Sequence, residues 1–162
     1  MSNIPKLLEQ FRRGPELIAA ALAGTEVEEL DFIPAPGKWS VRQILCHLAD
    51  AEIVAAARFR RLLAEDGPTL MSYDQDAWAR NLNYARRRTS DALEIFRRLR
   101  AENWDLLKDL PETAFERKAT HSERGAITLL DLLKTYADHP EAHARQLLEV
   151  RNRYKQAKKQ HA

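Results

Sequence analysis

The sequence is short of several things, and each shortage removes a class of protein. A single cysteine, Cys46, leaves no partner for an internal disulfide and fits a reducing compartment, so a cytoplasmic location is expected. Five glycines and seven prolines in 162 residues are too few for a loop-rich sandwich or a disordered chain. No apolar run is long enough to span a bilayer, so no membrane association is expected. The opening Met1-Ser2-Asn3-Ile4-Pro5-Lys6 lacks the basic stretch and apolar core of a signal peptide. Neither sign of charge dominates. The 26 basic and 24 acidic residues give a net charge of +2, and the two signs are interleaved, which leaves no electrostatic footprint for nucleic acid. The arginine clusters Arg58-Phe59-Arg60-Arg61, Arg86-Arg87-Arg88 and Arg97-Arg98-Leu99-Arg100 sit inside helical patterns that also carry acids, and they read as solvated helix faces. There is no glycine-rich phosphate loop and no Gly-x-Ser-x-Gly elbow. The His-Glu-x-x-His signature is absent as well, since Pro140 follows His139.

What remains is a chain with 44% hydrophobic and 31% charged residues, spaced as amphipathic helices. Its length suits one domain over residues 1–150, with a polar C-terminal tail at 151–162 where the apolar stripe is lost. Leu7, Leu8, Phe11, Leu17, Ile18 and Leu22 mark a first helical stretch, and Gly14-Pro15 kinks it or splits it in two. Ser40-Val41-Arg42-Gln43 spells a capping box and starts a second helix that stops before Asp66-Gly67-Pro68. A third helix runs from about Tyr84 to Leu110, closed by Pro111. Thr128 and Asp131 form a weaker cap for the last helix. The stretches 69–83 and 111–127 read as long crossovers. Four amphipathic segments joined this way imply an all-α four-helix bundle whose path is not simple up-down-up-down.

The chemistry concentrates in Tyr136-Ala137-Asp138-His139-Pro140-Glu141-Ala142-His143. Residues four apart share a helix face, so His139 and His143 can turn toward one point. With five histidines in the chain, such a pair arises by accident in about one sequence of eight, so the pair alone is weak. Context adds to it. Both histidines border the apolar face of their helix, and His47 borders that of the second helix. Three neutral imidazoles from facing helices would hold a divalent metal and leave a coordination position open, as catalytic zinc sites do. Zinc or nickel leads, with iron, copper or manganese as alternatives. Pro140 between the two histidines predicts a local bend and the loss of one backbone hydrogen bond. Asp50 and Glu141 are candidates for orienting a ligand imidazole from behind. Cys46 points about 100° away from its neighbour His47 and reads as a small buried hydrophobe. His121 is a weaker pocket candidate in a loop, and His161 lies in the tail.

Three motifs in order carry a resemblance. Gly37-Lys38-Trp39-Ser40-Val41-Arg42-Gln43-Ile44-Leu45-Cys46-His47-Leu48-Ala49-Asp50-Ala51-Glu52, then Gly125-Ala126-Ile127-Thr128-Leu129-Leu130-Asp131-Leu132-Leu133, then His139 through His143 to Gln146, together resemble the DinB-like family. That family includes bacillithiol-dependent transferases and is related to mycothiol-dependent maleylpyruvate isomerases. The likeness spans nearly the whole chain. It implies an up-down-down-up bundle, usually a homodimer, with His47, His139 and His143 as metal ligands. It also implies a metal-dependent thiol S-transferase or hydrolase acting on a small molecule, with a low-molecular-weight thiol as a candidate cofactor. A non-catalytic bundle that binds metal or a small molecule in a stress response is the alternative. No acid or base beyond the three histidines is assigned.

Overall fold

Ser40 starts the first long helix as its neighbours predict. Its hydroxyl accepts the Gln43 backbone N–H at 3.3 Å, and the Gln43 side-chain oxygen accepts the Ser40 N–H at 2.9 Å, so two orphan donors at the helix end are satisfied reciprocally. The computed structural model describes residues 3–160. In it this helix is α3 (Val41–Ala64), preceded by α1 (Ile4–Arg12) and α2 (Gly14–Leu22) and followed by α4 (Gln75–Asn81), α5 (Thr89–Leu107) and α6 (Leu129–Gln160). Gly14-Pro15 divides the first helical stretch in two. The last helix begins where Thr128 and Asp131 cap it, the Asp131 carboxylate accepting the Thr128 N–H at 2.9 Å.

Side-chain contacts give the directions. Gln10 donates to Asp138 at 2.9 Å and Arg151 to the Ala21 carbonyl at 2.6 Å, so the α1–α2 pair runs parallel to α6. Arg42 reaches the Arg87 carbonyl at 3.0 Å and Arg60 reaches Asn103 at 3.0 Å, so α3 and α5 are parallel. His47 of α3 meets His139 of α6 at 3.2 Å, whereas Arg58 meets Tyr136 at 3.1 Å, which makes α3 and α6 antiparallel. The path is up-down-down-up, with the core filled by residues such as Phe11, Phe59, Phe96, Leu133 and Leu147.

Three details differ from the expectation. The two crossovers pair with each other in a small sheet. β1 (Thr69–Leu70) runs parallel to β2 (Lys118–His121), and β2 forms a hairpin with β3 (Gly125–Thr128). The third helix starts at Thr89 rather than Tyr84, because Asn83 adopts φ 52° and Tyr84–Arg86 form a short 3-10 turn. The last helix does not fray after Val150 but continues to Gln160. Arg151 is buried there, donating to Glu29 at 2.7 Å, and Tyr154 packs edge-on to Phe32 at 5.5 Å. His161 lies outside the described residues.

Pro140 sits inside α6 without ending it. A proline there offers no N–H to the carbonyl four residues earlier, which is that of Tyr136. Pro15 likewise offers none to Phe11. Both carbonyls accept from one nitrogen, Nη1 of Arg100, at 2.8 Å for Tyr136 and 3.1 Å for Phe11. Arg100 is 1% exposed, and its Nη2 donates to Glu52 at 2.6 Å, whose other oxygen takes the Asn103 amide at 2.9 Å. The guanidinium lies over the Phe11 ring at 3.9 Å. Gly14 completes the accommodation. A Cβ there would come within 2.9 Å of the Pro140 ring.

Replacing Arg100 by alanine strands a buried carboxylate and two buried carbonyls, so a loss of about 3–5 kcal/mol is expected in chemical denaturation. The double substitution Arg100→Met with Glu52→Leu should lose clearly less than Arg100→Ala. Equal losses would show that packing rather than the pairing matters at this position.

Candidate metal centre

His47 comes from the second turn of α3, so the capping box at Ser40 sets its place. His139 and His143 come from adjacent turns of α6. The three side chains meet between the two helices. Nε2 of His139 lies 3.2 Å from Nε2 of His47 and 3.0 Å from Nε2 of His143, and the three ligand atoms all lie within 4.8 Å of one another. Two nitrogens bound at 2.0–2.1 Å to one ion stand about 3.4 Å apart in a tetrahedral arrangement and about 3.0 Å apart at a right angle. The two separations from His139 fall in that range.

The protonation state fits the same conclusion. His47 is fully buried, and burial followed by the nearness of His143 holds its pKa down at about 3. Burial, His143 and His47 hold that of His139 at about 2. Burial lowers His143 too, against the pull of its hydrogen bond to Gln146. Neutral imidazoles are what a metal requires. Gln146 Oε1 sits 2.8 Å from Nδ1 of His143, so Nδ1 carries the proton and the Nε2 lone pair faces inward. The depressed pKa values keep each ring at a single proton, so the inward nitrogens are brought together either by an Nε2–H that one ring donates to another or by a cation held among them. The donor set therefore suits a divalent cation.

Neither acid expected behind the histidines is there. Asp50 accepts the Tyr84 hydroxyl at 2.7 Å and Arg87 Nη1 at 2.8 Å, which ties the 3-10 turn to α3. Glu141 accepts from Gln10 at 3.1 Å. Gln146, three residues after His143 and so on the same helix face, takes the orienting role, and that spacing was the signal for it. Trp39 walls the site, its ring 5.0 Å from that of His47. Cys46 is buried, with its thiol 3.7 Å from the Tyr84 carbonyl and its pKa raised mainly by burial, and it takes no part in the cluster. His121 is buried on β2, where its Nδ1 accepts the Glu123 N–H at 3.2 Å.

The arginine clusters are not simply solvated faces. Each has a member that turns to a side chain of another segment: Arg58 to Tyr136 (with Arg60 beside it to Asn103), Arg87 to Asp50 and Arg100 to Glu52. Helical spacing alone does not separate these from their exposed neighbours, because the partner of each lies at least 37 residues away in the chain, a distance set by folding.

Among the described residues, no helix is long and apolar enough to cross a membrane. Known proteins match closely. A protein of Oceanobacillus iheyensis named "Putative metal-dependent hydrolase" is 31% identical over 129 residues, covering 80% of this chain and 74% of its own. One of the same name from Geobacillus thermodenitrificans is 27% identical, covering 93% of this chain and 85% of its own. The solved structure of YfiT from Bacillus subtilis, described as a probable metal-dependent hydrolase with an unusual four-helix bundle topology, superposes with a TM-score of 0.87 at 26% identity. It covers 96% of this chain and 90% of that one. The family model of the DinB superfamily matches residues 10–147, a span that reaches into all four arms of the bundle and includes His47, His139 and His143, and the chain belongs to that superfamily.

Proposed function

We propose that this protein is a divalent-metal enzyme, a hydrolase or thiol S-transferase acting on a small molecule, with His47, His139 and His143 holding the ion. The observation that carries the reading is the meeting of three imidazoles, that of His47 buried and those of His139 and His143 half-buried, with no carboxylate of the described residues among them. Three neutral ligands leave the ion's charge uncompensated, and an ion so held lowers the pKa of a water or thiol that joins it. Zinc and nickel suit an all-imidazole set best. The chain's own contribution is placement. The α3 cap fixes His47, Arg100 secures the proline turn between His139 and His143, Gln146 aims the His143 ring, and Trp39 shields one side from water. The relatives' names agree with a metal-dependent hydrolase. The family resemblance seen in the three motifs supports thiol transfer.

Protein purified without a nickel column should carry about one equivalent of a first-row metal by mass spectrometry. After chelation, zinc at a hundredfold excess over its Kd should add about 2.7 kcal/mol of stability, and His143→Ala should abolish that gain. No metal and no thermal shift with zinc would sink the enzyme reading. Stoichiometric metal without turnover across ester, amide and thiol-transfer substrates would instead favour a binding protein.

Gln146→Leu should weaken metal binding roughly 10- to 100-fold while leaving the melting temperature of the metal-free protein close to that of the parent. If metal affinity is unchanged, Gln146 does not orient the ring.

The metal-free protein should also lose stability in acid. The unfolded chain's histidines take protons near pH 6.5, whereas folded His47 and His139 resist protonation down to about 3 and about 2. Their contribution is complete above pH 6.5 and is lost as pH falls through this interval, at roughly 1.4 kcal/mol per pH unit for each histidine. Denaturant titrations of chelated protein between pH 7 and 5, before most carboxylates protonate, read the slope directly. A flat profile would mean that the imidazoles are less shielded than this geometry implies.

A further inference from the structure

The seam between α3 and α6 does not stop at the histidines. His47, Ala51, Val54 and Arg58 recur at helical spacing on one face of α3, and the antiparallel α6 sets Tyr136 opposite Arg58 just as it sets His139 and His143 opposite His47. Side chains lean toward the N-terminal end of their helix, so Arg58 leans along the seam toward His47. The Tyr136 ring lies 6.3 Å from that of His139 and its hydroxyl meets Arg58 Nη1 at 3.1 Å. A single phenol ring separates the guanidinium from the metal centre.

This end of the seam has a surplus of donors. Arg58 has five N–H groups. One donates to the Tyr136 oxygen and one to the Met71 carbonyl, while Nε is buried with no partner. Tyr136 accepts from Arg58, so its own proton is left for another acceptor. No ion pair reaches Arg58 among the described residues, because the acids nearby are engaged: Asp50 with Arg87, Glu52 with Arg100 and Glu65 with Arg61. Tyr73 lies close enough to both groups for its pKa to feel them: burial foremost, then Tyr136, pushes the phenol up to about 12, while Arg58 pulls against the rise. An unpaired guanidinium beside a free phenol proton is complementary to a carboxylate, which the planar fork of arginine binds with two parallel hydrogen bonds.

We propose that Arg58 and Tyr136 bind the carboxylate of a small-molecule substrate whose reacting group sits at the His47–His139–His143 centre. The inference rests on the metal-enzyme reading above and adds to it the substrate class, an acid rather than a neutral molecule.

The test uses the full chain loaded with cobalt(II), titrated with 3-mercaptopropionate, 4-mercaptobutyrate and 6-mercaptohexanoate, each against its neutral amide. The sulfur-to-cobalt charge-transfer band reports binding. For at least one chain length the acid should bind about tenfold or more tightly than the amide, the scale of a charge-assisted hydrogen bond. Arg58→Gln should bring the acid to the affinity of its amide, and Arg58→Lys, which keeps the charge but not the fork, should retain part of the preference. Tyr136→Phe should also reduce it, and gives an independent measurement should Arg58→Gln not fold. An acid preference that is absent at every length, or unchanged in these variants, overturns the proposal while leaving the metal site intact. Cobalt binding without a band from any thiol overturns it also, since no ligand then reaches the centre. Failure of the unaltered protein to bind cobalt at all overturns the metal reading and this proposal with it.

Discussion

One buried guanidinium joins the bundle. Arg100 on α5 donates to Glu52 on α3, to the Phe11 carbonyl at the end of α1 and to the Tyr136 carbonyl within α6, so all four arms of the bundle meet on it. The two carbonyls are the ones that Pro15 and Pro140 leave without their usual helical partner, and an unpaired carbonyl in the core costs about as much as a lost hydrogen bond. A charge at that depth is tolerated because Glu52 is equally buried and Asn103 occupies the second carboxylate oxygen. Burial pulls the guanidinium's pKa below its ordinary value and Glu52 opposes the pull. An arginine so paired stays charged.

The histidine cluster depends on this arrangement through Pro140. His139 precedes the proline and His143 follows it by three residues, and their Nε2 atoms are 3.0 Å apart only because the helix continues through the proline turn. The Arg100 bond to the Tyr136 carbonyl and the space left by Gly14 permit that continuity. A proline inside the turn that joins two of these histidines, which on local rules is a fault in the helix, is here matched by Arg100 of α5 and Gly14 of α2.

Charge is distributed to the same end. The acids closest to the seam are taken up in pairs, Asp50 by Tyr84 and Arg87 and Glu52 by Arg100 and Asn103. The histidines are kept neutral by burial and by one another. Arg58 remains unpaired at the far end. This leaves the face between α3 and α6 with guanidinium donors at one end, imidazole nitrogens gathered at the other and, among the described residues, its nearest acids already paired.

Much of this was present in the amino-acid order. The Ser40–Gln43 and Thr128–Asp131 caps, the Gly14-Pro15 break, the four-residue spacing of His139 and His143 and the place of His47 beside an apolar stripe all follow from interactions within a few residues, which the chain encodes locally. Other features did not: the continuation of α6 past Val150, the pairing of the two crossovers into a sheet, the choice of Gln146 over Asp50 and Glu141 behind the histidines, and the inward turn of Arg58, Arg87 and Arg100. Each depends on a partner remote in sequence, such as Glu29 for Arg151 or Tyr136 for Arg58. The sequence by itself determined where helices begin and which histidines could share a face, because those depend on neighbours a turn away. Only the tertiary structure decided which charged side chains leave water, because that depends on whether a long-range partner offsets the cost of desolvation.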